Sequence, residues 1–256
     1  MPTDINVGSQ TIAGFVLTLS RVTGCLWILP LPGFQQASRT ARVVLTVCIT
    51  ICLLPVWPII FKQHQASGIL PGILIETASG LLLGITAAFL FEAFQLGAQI
   101  ISAQAGFSFA STFDPQTQAD TNIFQTFTQL FTGLLFFAIG LHRQLVRMIA
   151  SPVLQDGFAS GHLLPSSVSL ILQLGTSMFS TGFTLALPVA TLLFLIDVAL
   201  VVVTRLQAQL QLLTLAFPAK IAGAFLFFAM IIIRWPVLFE RLSADMLNDL
   251  YRALSR

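Results

Sequence analysis

Charge is what this chain lacks most. Lys and Arg number 12 and Asp and Glu 10 in 256 residues, or 9%, where a soluble domain carries about 25%. So sparse a set cannot solvate a globular surface, which excludes an ordinary soluble fold. The formal net charge of +2 comes without any basic cluster, so a nucleic-acid partner is set aside. One Tyr and three Trp mark an interfacial aromatic belt only weakly. Cys25, Cys48 and Cys52 all lie in apolar runs with no His or carboxylate beside them, and are read as reduced, packed thiols rather than a disulfide framework. His64, His142 and His162 are scattered without metal-ligand spacing, and no HExxH, GxSxG, GxxxxGK[ST] or CxxC is present. An intramembrane protease would need a Ser–His pair or paired Asp residues, and Asp114 and Asp197 sit in dissimilar contexts. No enzyme, cofactor or metal is expected. The first ten residues hold Asp4 and no Lys or Arg, the wrong charge for a cleaved signal peptide, so the first apolar segment is expected to be retained.

What is present is apolar. Hydrophobic residues make up 56% of the chain, Phe alone accounts for 23 positions, and the mean hydropathy is +0.90. Nearly uncharged runs recur at 12–29, 43–60, 77–91, 93–113, 123–141, 170–196, 206–219 and 222–233. Several approach the roughly 20 residues of a spanning helix, and others are short. The chain therefore reads as an all-α integral membrane protein of about six to eight hydrophobic helices, mostly in hairpins. Breaks are predicted at Pro30 and Pro32, Pro55, Pro71-Gly72, Asp114-Pro115, the loop 151–169, Pro188 and Phe217-Pro218.

One apolar run is unusual in what it contains. Between Glu92 and Asp114 the chain has no charge, yet it carries Gln95, Gln99, Gln104 and several Ser and Thr. A bilayer segment that polar must face protein or water. At about 100° per residue, Glu92, Gln95, Gln99 and Ser102 share one helix stripe, and Asn122, Gln125, Gln129 and Thr132 repeat the spacing. Two amide-lined helices joined by residues 106–115 predict a hairpin bordering a polar path, with the stripes acting either as lumen lining or as interhelix glue.

The remaining charges point inward as well. Arg21 lies within the run 12–29, and an Arg at a helix centre costs about 2.5–3.5 kcal/mol on insertion scales, so it needs a partner or a polar cavity. Asp197 and Arg205 stand two turns apart and are expected to pair with neighbours or loosely with each other, unless they simply mark helix ends at the interface. Gly80 and Gly84 form a GxxxG match, which predicts close helix packing and says little of function. Loop charges resist a simple topology: placing Arg39 and Arg42 in the cytoplasm sends Lys62 out, brings the region from Glu92 to Asp120 in, and puts Arg143 and Arg147 out again. Either some hairpins do not cross the bilayer, or an assembly shields them from lipid.

Three blocks of residues resemble one family. Glu76, Gly80 and Gly84 lead to Gly97-Ala98-Gln99, then to Gln104-Ala105-Gly106-Phe107-Ser108-Phe109-Ala110 and Asp114-Pro115. Pro188, Asp197, Arg205, Gln209-Leu210, Phe217-Pro218 and Lys220 follow, and Arg21, Pro30 and Arg42 form a weaker amino-terminal block. In this order they resemble the FliR/SctT export-gate family of type III secretion systems, with 106–115 closer to the flagellar than to the injectisome members. Ala208-Gln209-Leu210-Gln211 departs from the family's usual Pro-Gln before Asn, and Ala216 stands where Gly precedes Phe-Pro.

The resemblance implies an inner-membrane subunit at the flagellar basal body. It would join FliP-type and FliQ-type subunits in a helical export-gate assembly, with an FlhB-type protein attached, around the channel for unfolded flagellar proteins. It also implies a FliP-like part over 1–167 and a FliQ-like hairpin over 168–256, turning near 205–211, with Arg21, Asp197, Arg205, Gln209, Pro218 and Lys220 as assembly residues. In a channel that must be sealed against ions, Gly106, Phe107, Phe109, Phe113, Asp114 and Pro115 read as a gating plug, the phenylalanines forming an apolar stopper between two hinge points. An ordinary interhelical turn is the plainer reading of that segment. The alternatives for the whole chain are an injectisome export subunit, a secondary transporter with a midplane site at breaks at Pro188 and Pro218, and a structural scaffold without a pore.

Overall fold

The computed structural model describes residues 9–32, 38–64, 69–107, 123–151, 163–206 and 212–254. Within them nearly every residue is helical: α1 (Ser9–Ile28), α2 (Arg39–Cys52), a short 3-10 turn (Leu54–Val56), α3 (Trp57–His64), α4 (Ile69–Ala105), α5 (Ile123–Ala138), α6 (Leu141–Ala150), α7 (Leu163–Leu206), α8 (Leu212–Ile232) and α9 (Trp235–Leu254). Among the described residues, three helices, α1, α4 and α7, are long and apolar enough to cross a membrane, and the number rises to six if each bent pair is one span. The expected all-α membrane protein is what is found.

The breaks have local causes. Pro30 and Pro32 follow α1, and Pro55 sits in the 3-10 turn, where α2 and α3 bend by 57°. Gly140, with φ 81°, supplies the left-handed residue between α5 and α6, whose axes differ by 65°. The third bend, 58°, separates α8 from α9.

Three predicted breaks, at Pro71, Pro188 and Pro218, are absent, and the two apolar runs on either side of Glu92 are joined. Pro71 lies in the first turn of α4, where no intrahelical N–H is required. Glu92 divides two apolar runs in the sequence but interrupts nothing, because α4 continues through it. Pro188 lies inside α7 and Pro218 inside α8. The reason is a comparison of costs: an interior Pro loses one hydrogen bond at about 3 kcal/mol, whereas opening a turn in an apolar setting strands several backbone groups at several kcal/mol each.

Two compact units arise, each assembled from separated stretches: Met1–Phe89, Phe136–Leu174 and Ser243–Arg256 in the first, Leu90–Leu135 and Gly175–Leu242 in the second. In the first unit α1 packs closely on α4 through glycines. A Cβ on Gly80 would collide with the carbonyl oxygen of Arg21, one on Gly84 would stand 2.7 Å from that of Cys25, and one on Gly24 would stand 2.7 Å from that of Thr77. The Gly80/Gly84 pair thus brings two backbones into contact, as the GxxxG spacing predicted. Phe15 meets Trp57 edge-on at 5.1 Å, fixing α1 against α3.

The second unit is held by rings. Phe91 and Phe94 of α4, Phe124, Phe127 and Phe131 of α5, and Phe225 and Phe228 of α8 join Trp235 and Phe239 of α9 in one connected cluster, with centroid separations of 4.9–6.2 Å. Edge-to-face pairs each add about 0.5–1.5 kcal/mol beyond their burial. Heavy use of Phe therefore serves an aromatic core here. The cysteines depart from expectation: Cys25 is buried, but Cys48 and Cys52 lie exposed on α2, whose outward face is itself apolar.

Candidate functional site

In the first unit, Arg21 and Glu76 are both fully buried, and Arg21 Nε donates to Glu76 Oε2 at 2.5 Å. Its Nη1 donates to the carbonyl oxygens of Ile149, at 2.8 Å, and Ser151, at 3.3 Å. One guanidinium thus ties α1 to α4 and to the carboxyl end of α6. The partner that Arg21 required is Glu76, 55 residues away. The signal was a second uncompensated charge in another apolar segment, and pairing the two by elimination would have found it.

In the second unit, Lys220 of α8 reaches Asp197 of α7, Nζ to Oδ1 at 2.5 Å, and Gln104 of α4 donates to Asp197 Oδ2 at 3.4 Å. The ion pair is only partly covered, with side-chain exposures of 20% and 33%. Gly223 packs against Ile196 and Leu193 one turn further along. The register is that of an antiparallel hairpin on either side of residues 207–211. Gln209 lies outside the described residues. Arg205 is exposed at the end of α7, and the structure pairs Asp197 with Lys220 rather than with Arg205. A contact eight residues along a helix is about 12 Å away, too far for direct pairing. Pro218 is exposed inside α8.

Of the predicted stripe, Gln95 is half-buried and donates to the carbonyl oxygen of Gln125 at 3.3 Å. Gln125 and Gln129 are half-buried on α5, while Glu92 and Gln99 are exposed on α4. Ser102, Thr128 and Thr132 are buried. The stripe is therefore split: one part joins α4 to α5, and another points outward. Asn122 lies outside the described residues.

Of the plug segment, Gly106 and Phe107 are described, and Phe109, Phe113, Asp114 and Pro115 lie outside the described residues. Gly106 has φ 91° and closes α4 with its N–H on the carbonyl of Ala103, a conformation that glycine adopts without strain. Phe107 then turns edge-on to Phe124 at 5.4 Å and to Phe225 at 6.5 Å. The start of the segment is thus anchored on the aromatic cluster, a contact the sequence did not reveal. Among the described residues, no three His, Cys, Asp or Glu side chains gather as a metal site would require.

Comparison with known proteins agrees with these features. Residues 12–246 match the family described as bacterial export proteins, family 1. The flagellar biosynthetic protein FliR of Buchnera aphidicola subsp. Acyrthosiphon pisum is 27% identical over 236 residues, covering 89% of this chain and 88% of that protein. FliR of Pectobacterium carotovorum is 24% identical over 251 residues, 95% of each chain. FliR of Escherichia coli K12 is 26% identical over 204 residues, 78% of this chain and 77% of its own. A match that runs from α1 into α9 and takes in the residues of these ion pairs covers nearly the whole chain, and the chain belongs to family 1 of the bacterial export proteins, the family of the FliR flagellar biosynthetic proteins.

Proposed function

We propose that this chain is an inner-membrane subunit of the flagellar protein export apparatus, and that it forms the channel for unfolded flagellar proteins together with FliP-type and FliQ-type subunits, an FlhB-type protein being attached. The observation that carries this reading is α7. Its apolar span Val168–Val203 runs for 36 residues, and the most apolar 18-residue window has a mean hydropathy of 2.6 with only 17% of its residues buried. Such a helix is about 54 Å long, against about 30 Å for the hydrocarbon core of a bilayer. Lipid alone does not cover so long an apolar rod, and the excess requires other protein.

The relatives named above all carry flagellar names, which favours the flagellar over the injectisome role. The transporter reading needed broken helices at Pro188 and Pro218, and both prolines lie inside continuous ones. A FliP-like part over 1–167 and a FliQ-like hairpin over 168–256 fit the antiparallel α7–α8 pair. In this reading Arg21 holds the subunit's own fold, and Asp197, Lys220 and Arg205 meet neighbouring subunits. Residues 106–115 form the plug, hinged at Gly106 and seated through Phe107 on Phe124 and Phe225.

The test is recovery. A tagged chain expressed with FliP- and FliQ-type partners should copurify with both, and cysteines at Leu187 and Phe194, exposed on α7, should crosslink to them. A chain that inserts normally but is recovered alone, with no crosslink from either position, would refute the assembly.

A further inference from the structure

The chain leaves α4 at a residue that does not hold its own direction. Gly106 has φ 91°, and glycine populates positive and negative φ about equally, so the backbone alone does not set where the chain goes next. Two side-chain contacts in the second unit flank it. We infer that Gln104 is a positioning residue for the gating segment: by donating to Asp197 it fixes Gly106 and Phe107 against the α7–α8 hairpin. Its consequence in export rests on residues 106–115 being the plug of the proposed gate.

The contact before the glycine is polar. Gln104 lies in the last turn of α4 and is half-buried, and its Nε2 donates to Asp197 Oδ2 at 3.4 Å. The other carboxylate oxygen, Oδ1, takes Lys220 Nζ at 2.5 Å. Asp197 thus uses one oxygen to close α7 on α8 and the other to hold α4. The contact after the glycine is apolar. Phe107 stands edge-on to Phe124, which is 1% exposed, and to Phe225 of α8. The helix α8 therefore supplies a partner on each side of Gly106: Lys220 through Asp197, and Phe225 directly.

The two contacts differ in how they hold. Ring pairs are attractive over a range of separations and tilts, whereas a hydrogen bond weakens steeply with distance and angle. At 3.4 Å the amide–carboxylate bond is already longer than the usual range. A small shift of the hairpin breaks it while the rings stay in touch, and the turn at Gly106 is then left to Phe107. The carboxylate that would release it is one-third exposed, where an incoming cation can reach it. Gln104 and Asp197 together thus make the direction of the chain beyond α4 depend on the state of the hairpin.

Amide hydrogen exchange of the full chain in detergent, read by mass spectrometry over residues 103–107, tests this. Gln104→Leu removes one interhelical bond and should speed exchange about threefold. Gln104→Glu sets two carboxylates against each other and should speed it further. The exchanged pair Gln104→Glu/Asp197→Asn puts the amide on α7 and the carboxylate on α4, and should recover most of the protection lost in Gln104→Glu alone. Residues 77–84, packed on α1, should exchange as before in every variant. Gln104→Asn, one methylene too short to reach, replaces the Glu variant if that chain fails to fold, and should also speed exchange. Unchanged exchange over 103–107 in these variants, or an exchanged pair no better protected than Gln104→Glu, would overturn the inference. Small-ion conductance of the assembled complex separates it from the plug reading: faster exchange with no added leak would support the positioning and refute the plug.

Discussion

Two ion pairs of this chain, Arg21–Glu76 and Asp197–Lys220, are built from the same chemistry and placed in opposite settings. Arg21–Glu76 is shut away from solvent, and two backbone carbonyls also accept from the guanidinium Nη1. Asp197–Lys220 is one-fifth to one-third exposed and shares its carboxylate with Gln104 through a long 3.4 Å contact. A buried pair is costly to break, because the survivor is left charged in a low dielectric. A half-exposed pair contributes little to folding and is free to exchange partners. The first pair therefore belongs to the fold, and the second is suited to a surface that meets other subunits.

The harshest way to break the comparison is Glu76→Ala. It leaves Arg21 buried without its carboxylate and should cost about 3–5 kcal/mol, seen as a large fall in melting temperature and in the folded fraction recovered in detergent. A loss no larger than that of Asp197→Asn would erase the distinction. Gly80→Val attacks the same contact through sterics: its Cβ meets the Arg21 carbonyl, and the forced shift of α1 should cost about 1–3 kcal/mol, read as a lowered melting temperature with helix content retained.

Asp197→Asn should cost about 1 kcal/mol or less in the isolated chain and yet lower recovery of the assembled complex. Unchanged recovery would mean that this pair is only a hairpin clasp. Arg205→Glu sharpens the point, since Arg205 is exposed on α7: melting of the isolated chain should not move, while copurification of partners should fall. The smallest effect is expected from Gln95→Leu, which removes one bond to the Gln125 carbonyl, worth about 0.6 kcal/mol as interhelical bonds in membrane proteins go. A double-mutant cycle with a change at α5 should show no larger coupling.

Much of the fold was legible because apolar length is a one-dimensional property. The runs of apolar residues predicted helices, Pro55 and the prolines after α1 marked real breaks, and Gly80 with Gly84 predicted a close crossing. Arg21 was recognisable as a charge in need of a partner. The prolines at 188 and 218 were misread because a local rule weighs one missing hydrogen bond, while the helix is set by the backbone groups that a break would strand. Cys48 and Cys52 were expected to pack because they sit among apolar residues, but the apolar face of α2 is turned outward.

The sequence by itself determined that this is a helical membrane protein whose apolar segments carry charges and amides that need partners. Hydropathy, spacing and charge are summed along the chain and need no knowledge of what lies opposite. Only the tertiary structure decided that Arg21 meets Glu76, that Asp197 meets Lys220 and Gln104, and that Phe107 seats on Phe124 and Phe225. The reason is physical. A buried charge or ring requires a partner of complementary chemistry, and many positions in the chain satisfy that requirement until helix packing brings one of them within reach.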